Sequence, residues 1–289
     1  MTLPAGVSDV RRVSGGDINE AYRVTLADGR PAFVKTRADA APGEYAAEAA
    51  GLRWLAEPGA LRTPRVLEVD ERYLALEWIA CAPAGLHDAG GASPYGDDAS
   101  PEGEELGRGL ALTHQAGAPC FGLDGADARF GSLRLSNEPL RDWPSFYAER
   151  RLAPLGRIAR ERGALSAAGQ QALEAVCVRM DELAGPAEAP ARLHGDLWSG
   201  NVMVDEYRHP CLIDPSAYGG HREIDLAMLA LFGAPSPRLL DAYREVAPLA
   251  DGWRERVALY QLAPLLVHAA LFGGSYGAAA ERVARRYAG

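Results

Sequence analysis

An aspartate and an asparagine lie five positions apart, Asp196 and Asn201, just ahead of an apolar run. A second aspartate, Asp214, ends the next apolar run. Phosphoryl transfer needs a carboxylate beside the attacking hydroxyl, together with oxygen ligands for the magnesium ion on a nucleotide. Two strands of a hairpin would bring Asn201 and Asp214 to one metal. The alternative is a turn in which these side chains only cap local structure, but His194 and Gly195 ahead of Asp196 favour the chemical interpretation.

A lysine and a glutamate in the first sixty residues point to the same chemistry. Lys35 lies in an apolar segment, 32–36, that predicts a strand, and Glu48 falls on the apolar stripe of a helix predicted at 44–57. Because an unpaired carboxylate on a buried face is costly, we expect Glu48 to pair with Lys35. Such a pair would hold the ammonium group against nucleotide phosphates. The alternative is a lysine that extends to solvent and a helix with a different phase.

Two weaker features complete the predicted nucleotide site. Gly15 and Gly16 lie between two early strand candidates, where backbone N–H groups of a glycine-rich loop can bind phosphates, although the full G-x-G-x-x-G pattern is absent. Glu77, Trp78 and Ile79 end the last strand before a connector. We expect their backbone to bind the adenine edge, so the identity of their side chains carries little information. An ordinary turn is the alternative for the glycines.

The composition limits the classes of function. Among 289 residues, 39 are Asp or Glu and 30 are Lys or Arg, for a net charge of −9. This charge argues against a non-specific nucleic-acid binder, which needs a basic surface. The longest apolar stretch, 259–272, is too short and too polar to span a bilayer. The four cysteines form no C-x-x-C pair, which is typical of free thiols in a reducing compartment. We therefore expect a cytoplasmic monomer that binds neither membranes nor nucleic acid.

The order of the predicted elements defines two lobes. Strand patterns surround a single helix in the first eighty residues, and residues 81–104 form a connector rich in Gly, Ala and Pro. Helical patterns dominate afterwards, interrupted by one hairpin over 201–214. The predicted fold class is α+β, with a small β-rich N-terminal lobe at 1–80 and a larger, mainly helical C-terminal lobe at 81–289. The predicted helices of the second lobe include 104–115, 144–162 and 166–184.

These motifs resemble those of the fructosamine kinase (ketosamine 3-kinase) family. This family is part of the wider protein-kinase-like fold, which includes aminoglycoside phosphotransferases and choline kinases. The Asp-x-x-x-x-Asn spacing is shared with the protein-kinase catalytic loop. The longer string Leu-His-Gly-Asp-Leu-Trp-Ser-Gly-Asn at 193–201 is more particular to fructosamine kinases. Residues 15–22, 142–152, 212–228 and 260–274 also look like the family, so the resemblance covers nearly the whole chain apart from the connector.

Three positions depart from the family pattern. They are Asp17, Ser216 and the segment Ala128-Arg129-Phe130-Gly131. None of them removes a catalytic group, so the resemblance still implies an active enzyme. The segment at 128–131 is the departure that would alter the sugar site.

The resemblance implies a chemical role for each polar group of the motifs. Asp196 is expected to accept or orient the proton of a sugar 3-hydroxyl. Asn201 and Asp214 are expected to bind Mg²⁺. Lys35, held by Glu48, is expected to bind the phosphates of ATP.

Four further residues receive supporting roles from the resemblance. Asp225 and His194 are expected to brace the catalytic loop without taking part in the chemistry. Trp198 is expected to line the sugar site, and His268 is expected to reach the substrate pocket. For both of these the alternative is simple packing in the core.

The implied reaction transfers the γ-phosphate of ATP, with Mg²⁺, to the 3-hydroxyl of a ketosamine, either a small molecule or one linked to a peptide. The labile product then releases the amine, which reverses glycation. Two other hypotheses stay open. One is another small-molecule kinase of the same fold, acting on an aminoglycoside, choline or homoserine. The other is a pseudokinase that binds nucleotide without catalysis, which the presence of all five polar groups argues against.

Overall fold

The computed structural model describes residues 2–13, 19–81, 101–125 and 127–289. Gly15 and Gly16, predicted to bind phosphates, lie outside the described residues, as does most of the predicted connector. Within the described ranges, no helix combines the length and the apolar character that crossing a membrane requires.

The N-terminal part is a five-stranded antiparallel sheet with one helix. Its elements are β1 Ser8–Val13, β2 Glu20–Thr25, β3 Pro31–Thr36, α1 Glu44–Ala56, β4 Val66–Asp70 and β5 Tyr73–Glu77. The strand order is β1-β2-β3-β5-β4. Successive side chains of a strand point to opposite faces. Val34 accordingly packs with Val24 and Ala75 on one face, whereas Phe33 packs on the α1 side, and Lys35 shares that side.

The C-terminal part is mainly helical, as predicted. Its helices are α2 Pro101–Gln115, α3 Trp143–Phe146, α4 Ala153–Glu161, α5 Ala167–Val178, α6 Met180–Leu183, α7 Glu223–Leu229, α8 Pro237–Val246, α9 Trp253–Tyr260, α10 Leu262–Phe272 and α11 Tyr276–Ala288. Its short strands are β6 Ala128–Phe130, β7 Leu133–Leu135, β8 Ala191–Leu193, β9 Val202–Val204, β10 Pro210–Leu212 and β11 Tyr218–Gly220. The larger core surrounds Trp143, Tyr147, Tyr260 and Leu266.

Helices α2 and α8 pack closely and form a second core. A Cβ atom at Gly107 of α2 would lie 2.2 Å from the carbonyl oxygen of Leu239, so the close approach of the two backbones requires glycine there. Leu106, Leu110 and Tyr243 are buried at this contact. The predicted start of α2 at residue 104 is wrong by three residues, since the helix begins at Pro101.

The prediction of a single α-helix over 144–162 is wrong for the middle of this segment. A π-helical turn, Tyr147–Leu152, separates α3 from α4. The apolar period of so short a segment does not distinguish a π turn from an α turn, which is why the sequence pattern did not reveal it. The helix predicted over 166–184 is likewise divided at Arg179, although Ser166 caps its start as expected.

The predicted hairpin over 201–214 is present as β9 and β10, but the two predicted metal ligands flank it. Asn201 ends a 3-10 turn just before β9, and Asp214 lies beyond the end of β10. The strand pairs β6–β7 and β8–β11 were not predicted, because three-residue strands are too short to show a period.

Backbone and side-chain contacts join this hairpin to the N-terminal part. The amide of Glu206 donates to the carbonyl of Ala80 at 2.8 Å, and the amide of Leu212 donates to the carbonyl of Arg62 at 2.8 Å. The guanidinium of Arg62 pairs with Asp205 in the hairpin and with Glu77 in β5. The chain segment that follows β5 is therefore fixed to the hairpin beside Asn201. The lobe boundary at residue 80 stays a prediction.

Candidate active site

Three charged side chains from separate elements meet where the two parts of the molecule face each other. Nζ of Lys35 on β3 lies 2.9 Å from Oδ1 of Asp214 and also contacts the carboxylate of Glu48 on α1. The contact between Lys35 and Glu48 is the one predicted from the sequence; the contact with Asp214 was not. Lys35 and Glu48 are mostly buried, whereas the side chain of Asp214 is 47% exposed.

The charges of this trio depend on one another. Burial works against the charge of Lys35, but the carboxylates of Asp214 and Glu48 raise its pKa. Burial raises the pKa of Glu48 to about 7, against the attraction of Lys35. Burial also opposes ionisation of Asp214, yet Lys35 lowers the pKa of that carboxyl. Lys35 is therefore a fixed cation with an exposed carboxylate beside it.

Asp196 and Asn201 are joined by two hydrogen bonds. Nδ2 of Asn201 donates to the carbonyl oxygen of Asp196 at 2.8 Å and to its Oδ2 at 3.2 Å. Burial and the carboxylate of Asp214 raise the pKa of Asp196 to about 7, while the hydrogen bond from Asn201 acts in the opposite direction. A carboxylate with such a pKa is suited to accept a proton near neutral pH.

The backbone before Asp196 is held by a buried aspartate. Oδ2 of Asp225 accepts from the amide of His194 at 2.8 Å, and its Oδ1 accepts from the amide of Gly195 at 2.9 Å. Gly195 has φ +83°, and a Cβ atom there would lie 2.1 Å from the carbonyl oxygen of Ser216, so the turn requires glycine. Burial opposes the charge of Asp225, but its hydrogen bonds, first among them that with His114, hold the pKa below its usual range. The loop that carries Asp196 is thus anchored at two consecutive amides.

His194 bridges the loop to the strand that leads to Asp214. Its Nδ1 accepts from the amide of Asp196 at 3.2 Å, and its Nε2 donates to the carbonyl of Ile213 at 2.9 Å. Burial lowers the pKa of His194, so the neutral ring fits this pair of contacts. Both ring nitrogens are occupied, which leaves His194 a positioning role and no free nitrogen for proton transfer.

His114 at the end of α2 is a site residue that the sequence did not assign. Its Nε2 lies 3.2 Å from Oδ2 of Asp225, and its Nδ1 lies 2.8 Å from the hydroxyl of Tyr243. The ring is buried. The only available signal was that His114 falls on the inward stripe of the predicted helix, which does not reveal a partner 111 residues away.

A pocket opens beside Asp196 in the C-terminal part. Asp196, Arg151 and His268 supply polar side chains to its lining. Tyr218 also lines it, and apolar side chains from several elements complete it: Phe130, Leu155, Ile224, Met228, Ala263, Pro264 and Val267. A mostly apolar pocket with a few convergent polar groups is the usual form of a small-molecule site. Phe130, which belongs to the segment that departs from the family pattern, is in this lining.

The second predicted substrate residue, Trp198, lies at the edge of the same region. Its side chain is 38% exposed and forms an edge contact with Phe232, with ring centroids 5.8 Å apart. The ring of Phe232 in turn lies 5.0 Å from that of His268. Trp198 is therefore not a core residue, and it is connected to the pocket through Phe232, which the sequence analysis did not assign.

The segment predicted to bind adenine lies at the end of β5. The side chain of Glu77 pairs with Arg62 and Arg65, and its amide donates to the carbonyl of Arg65 at 2.8 Å. The amide of Glu77 is thus already used within the sheet. Trp78 and Ile79, which follow the strand, are the remaining candidates for backbone contacts to a base.

Asn201 and Asp214 fit the requirements of a magnesium ion. The amide nitrogen of Asn201 is held by Asp196, so its Oδ1 is the atom left to ligate. Oδ1 of Asp214 contacts Lys35, and the rest of this half-exposed carboxylate is accessible. Amide and carboxylate oxygens are the ligands that Mg²⁺ prefers. These two residues would hold the ion, and the ion would supply charge neutralisation on the phosphates of a bound nucleotide.

The two-part architecture and the polar groups between the parts define a phosphotransferase of the protein-kinase-like fold. The structure is similar to a macrolide 2′-phosphotransferase from Brachybacterium faecium, with a TM-score of 0.59 over 95% of this chain and 91% of the other. At 18% identity this similarity concerns the fold alone. The predicted fold class, α+β with a kinase-like bilobal architecture, is confirmed.

Closer comparisons identify the family. The model of the family described as Fructosamine kinase matches residues 2–288. A crystal structure from Thermobifida fusca named as a fructosamine-3-kinase is 45% identical, with a TM-score of 0.84 over 98% of this chain and 93% of the other. A chloroplastic protein-ribulosamine 3-kinase of Arabidopsis thaliana is 33% identical over 97% of this chain and 83% of its own length. The chain belongs to the fructosamine kinase family, as its motifs predicted.

Proposed function

We propose that this protein is an ATP-dependent kinase that phosphorylates the 3-hydroxyl of ketosamines. In the proposed reaction, the 3-oxygen of the sugar forms a bond to the γ-phosphorus of ATP as the bond to the bridging oxygen breaks and ADP leaves. Asp196 accepts the proton of the 3-hydroxyl. Lys35 binds the phosphates, and Asn201 and Asp214 hold Mg²⁺.

The observation that carries this proposal is that Asp196 belongs both to the pocket and to the group of polar residues around Asn201. Its carboxylate lines the pocket and is hydrogen-bonded to Asn201. The amide of Ile213 donates to the carbonyl of Asn201 at 3.0 Å, which places the next residue, Asp214, with its contact to Lys35, beside the same loop. A hydroxyl bound in the pocket would lie beside this carboxylate, as the removal of its proton during phosphoryl transfer requires.

The chemistry of the phosphorylated product explains how this reaction could remove a sugar from an amine. A phosphate at C3 of a ketosamine is a good leaving group once the neighbouring carbons reach the enamine form. Its elimination frees the amine and a deoxyosone, so that one phosphorylation removes the sugar. We propose a small-molecule or peptide-linked ketosamine as the substrate. The four free cysteines support our further proposal that the protein works in the reducing cytoplasm. We also propose that it is a monomer.

The experiment is Mg²⁺-dependent ADP release with a panel of acceptors. Fructosyl-lysine, ribulosyl-lysine and erythrulosyl-lysine are compared with choline, homoserine and kanamycin. We expect turnover with ketosamines only, its loss on chelation of Mg²⁺, and a product phosphate at C3. Turnover with choline, homoserine or kanamycin alone would retain the phosphotransferase and contradict the proposed substrate. ATP binding without turnover on any acceptor would favour the pseudokinase.

A further inference from the structure

A completely buried arginine, Arg151, lies in the wall of the pocket. Its side chain comes from the π-helical turn between α3 and α4. The guanidinium lies 4.2 Å from the ring centroid of Tyr218 and 4.8 Å from that of Phe146. Across the described part of the chain, no carboxylate forms an ion pair with it. A buried cation without an anionic partner is costly, so the position calls for an explanation.

The hydrogen bonds around Arg151 leave donors unused. Nη1 donates to the carbonyls of Ser136 and Arg150, each at 3.0 Å, and Nη2 donates to Oδ1 of Asn137. Nε of Arg151 and Nδ2 of Asn137 are both buried and have no partner among the residues that the structure describes. Since Nη2 of Arg151 fixes the Asn137 oxygen, rotation of the amide would not relieve this shortage. Two donor atoms of the cluster, Nε of Arg151 and Nδ2 of Asn137, therefore lack an acceptor in the described part of the chain.

The surroundings of the guanidinium determine what could supply the missing acceptor. Arg151 shares the pocket lining with Asp196, and most of the other lining side chains are apolar. A cation in an apolar wall donates strongly to oxygen atoms and repels a second cation. A ketosamine carries hydroxyl and carbonyl oxygens at its sugar end and a protonated amine at the other end.

The structure assigns Arg151 as a specificity-determining residue that donates to an oxygen of the bound sugar and keeps the protonated amine away from the inner end of the pocket. This inference rests on the proposed ketosamine kinase activity. The sugar then enters with its oxygen-bearing end toward Arg151 and its amine toward the pocket mouth. The same charge disfavours compact cationic acceptors such as choline.

The test compares Arg151→Lys, which keeps the charge but loses the fork of N–H groups, with the wild-type protein. The substrates are a ketosamine and its analogues that each lack one hydroxyl, at C4, C5 or C6. We expect Arg151→Lys to raise KM for the parent ketosamine about tenfold or more, with KM for ATP unchanged. With the wild type, one of the analogues should show a KM raised by the same factor. With Arg151→Lys, the KM of that analogue should rise no further, because the hydrogen bond that the variant removes is already missing.

Two further variants separate this role from a structural one. Arg150→Lys changes the neighbouring arginine, which pairs with Glu138 at 3.4 Å outside the pocket lining, and should leave both KM values unchanged. Asn137→Asp gives Arg151 an internal carboxylate partner. It should raise KM for the ketosamine while preserving the fold, so it serves if Arg151→Lys is unstable.

The outcomes are distinguishable. If the wild type phosphorylates ketosamines and neither Arg151→Lys nor Asn137→Asp changes their KM, the assignment of Arg151 is wrong and the proposed function stands. The assignment is also wrong if Arg151→Lys raises KM by the same factor for the parent ketosamine and for every analogue. If the wild type phosphorylates no ketosamine, the proposed function fails, and the assignment fails with it.

Discussion

Lys35 and Asp214 are 179 residues apart in the chain, and their Nζ and Oδ1 atoms lie 2.9 Å apart. Lys35 comes from β3 of the N-terminal sheet, and Asp214 lies two residues beyond the end of β10. Lys35 also contacts Glu48, so two carboxylates share one ammonium group. In the proposed reaction, Lys35 would bind the phosphates of ATP and Asp214 would hold Mg²⁺, while Glu48 would stay as the permanent partner of Lys35.

The first prediction concerns this permanent partner. Glu48→Gln should raise KM for ATP by about tenfold or more and leave KM for the ketosamine unchanged, because Lys35 loses the charge that positions it. Steady-state kinetics with each substrate varied in turn measures the effect. Glu44→Gln on the same helix, which breaks a pair with Arg37 at 2.7 Å, is the matched control. An equal change in both variants would show that only the stability of α1 is involved.

The second prediction concerns the proton acceptor. Asp196→Asn should lower kcat by roughly 10²- to 10⁴-fold, since the amide does not accept the proton of the hydroxyl. Nucleotide binding, followed by titration calorimetry with ADP and Mg²⁺, should be retained. Asp241→Asn, at an exposed position of α8, controls for the loss of one negative charge. A variant that keeps more than a tenth of the wild-type kcat would exclude Asp196 as the acceptor.

The third prediction concerns the anchor of the catalytic loop. Asp225→Ala leaves the amides of His194 and Gly195 without their buried acceptor, and each lost acceptor costs about 1–3 kcal/mol. We expect a lower free energy of unfolding in urea together with a lower kcat. His114→Gln should have a smaller effect in the same direction, since it removes one support of Asp225 and leaves both amide bonds. If Asp225→Ala lost stability but kept its full kcat, the loop would not depend on this anchor.

The fourth prediction is a pH dependence of stability that arises from His221, a residue with no role in the proposed chemistry. Burial lowers the pKa of His221 from 6.5 to about 4, with Arg256 and Arg222 adding to this effect and Glu188, whose oxygen is 3.8 Å from Nε2, opposing it. The unfolded chain therefore binds a proton below pH 6.5 that the folded chain does not bind. This difference in proton binding contributes on the order of 3 kcal/mol to the free energy of unfolding. The contribution is fully present above pH 6.5 and is lost as the pH falls toward 4.

Urea unfolding between pH 8 and pH 4 measures this contribution. The ring of His221 stacks on that of Tyr260, with centroids 5.4 Å apart, and His221→Phe keeps an aromatic ring at this position. The stability of this variant should fall less steeply with acidification than that of the wild type. His209→Gln, at an exposed histidine, is the control and should keep most of the wild-type slope. Parallel curves for the wild type and His221→Phe would rule out His221 as the source.

The sequence predicted those parts of the fold and the site whose signals are local. The helix at 44–57, the two-lobed order of elements and the pairing of Lys35 with Glu48 follow from periodicity and from the cost of a buried carboxylate. Contacts between distant segments could not be predicted in this way. His114 meets Asp225, and Lys35 meets Asp214, only because of tertiary packing. Very short strands and the π turn carry no period from which they could be identified.

The π turn at Tyr147–Leu152 has an evolutionary consequence. A π turn corresponds to an α-helix that has gained one residue. Deletion of one residue from this turn would restore the α-helix and leave α3 and α4 in phase with each other, so that the side chains within the turn, Arg151 among them, would be the ones to move. Arg151 would then leave the pocket, and a neighbour would take its place. A single insertion or deletion in this helix is thus a route by which related enzymes could change acceptor while every catalytic residue stays the same.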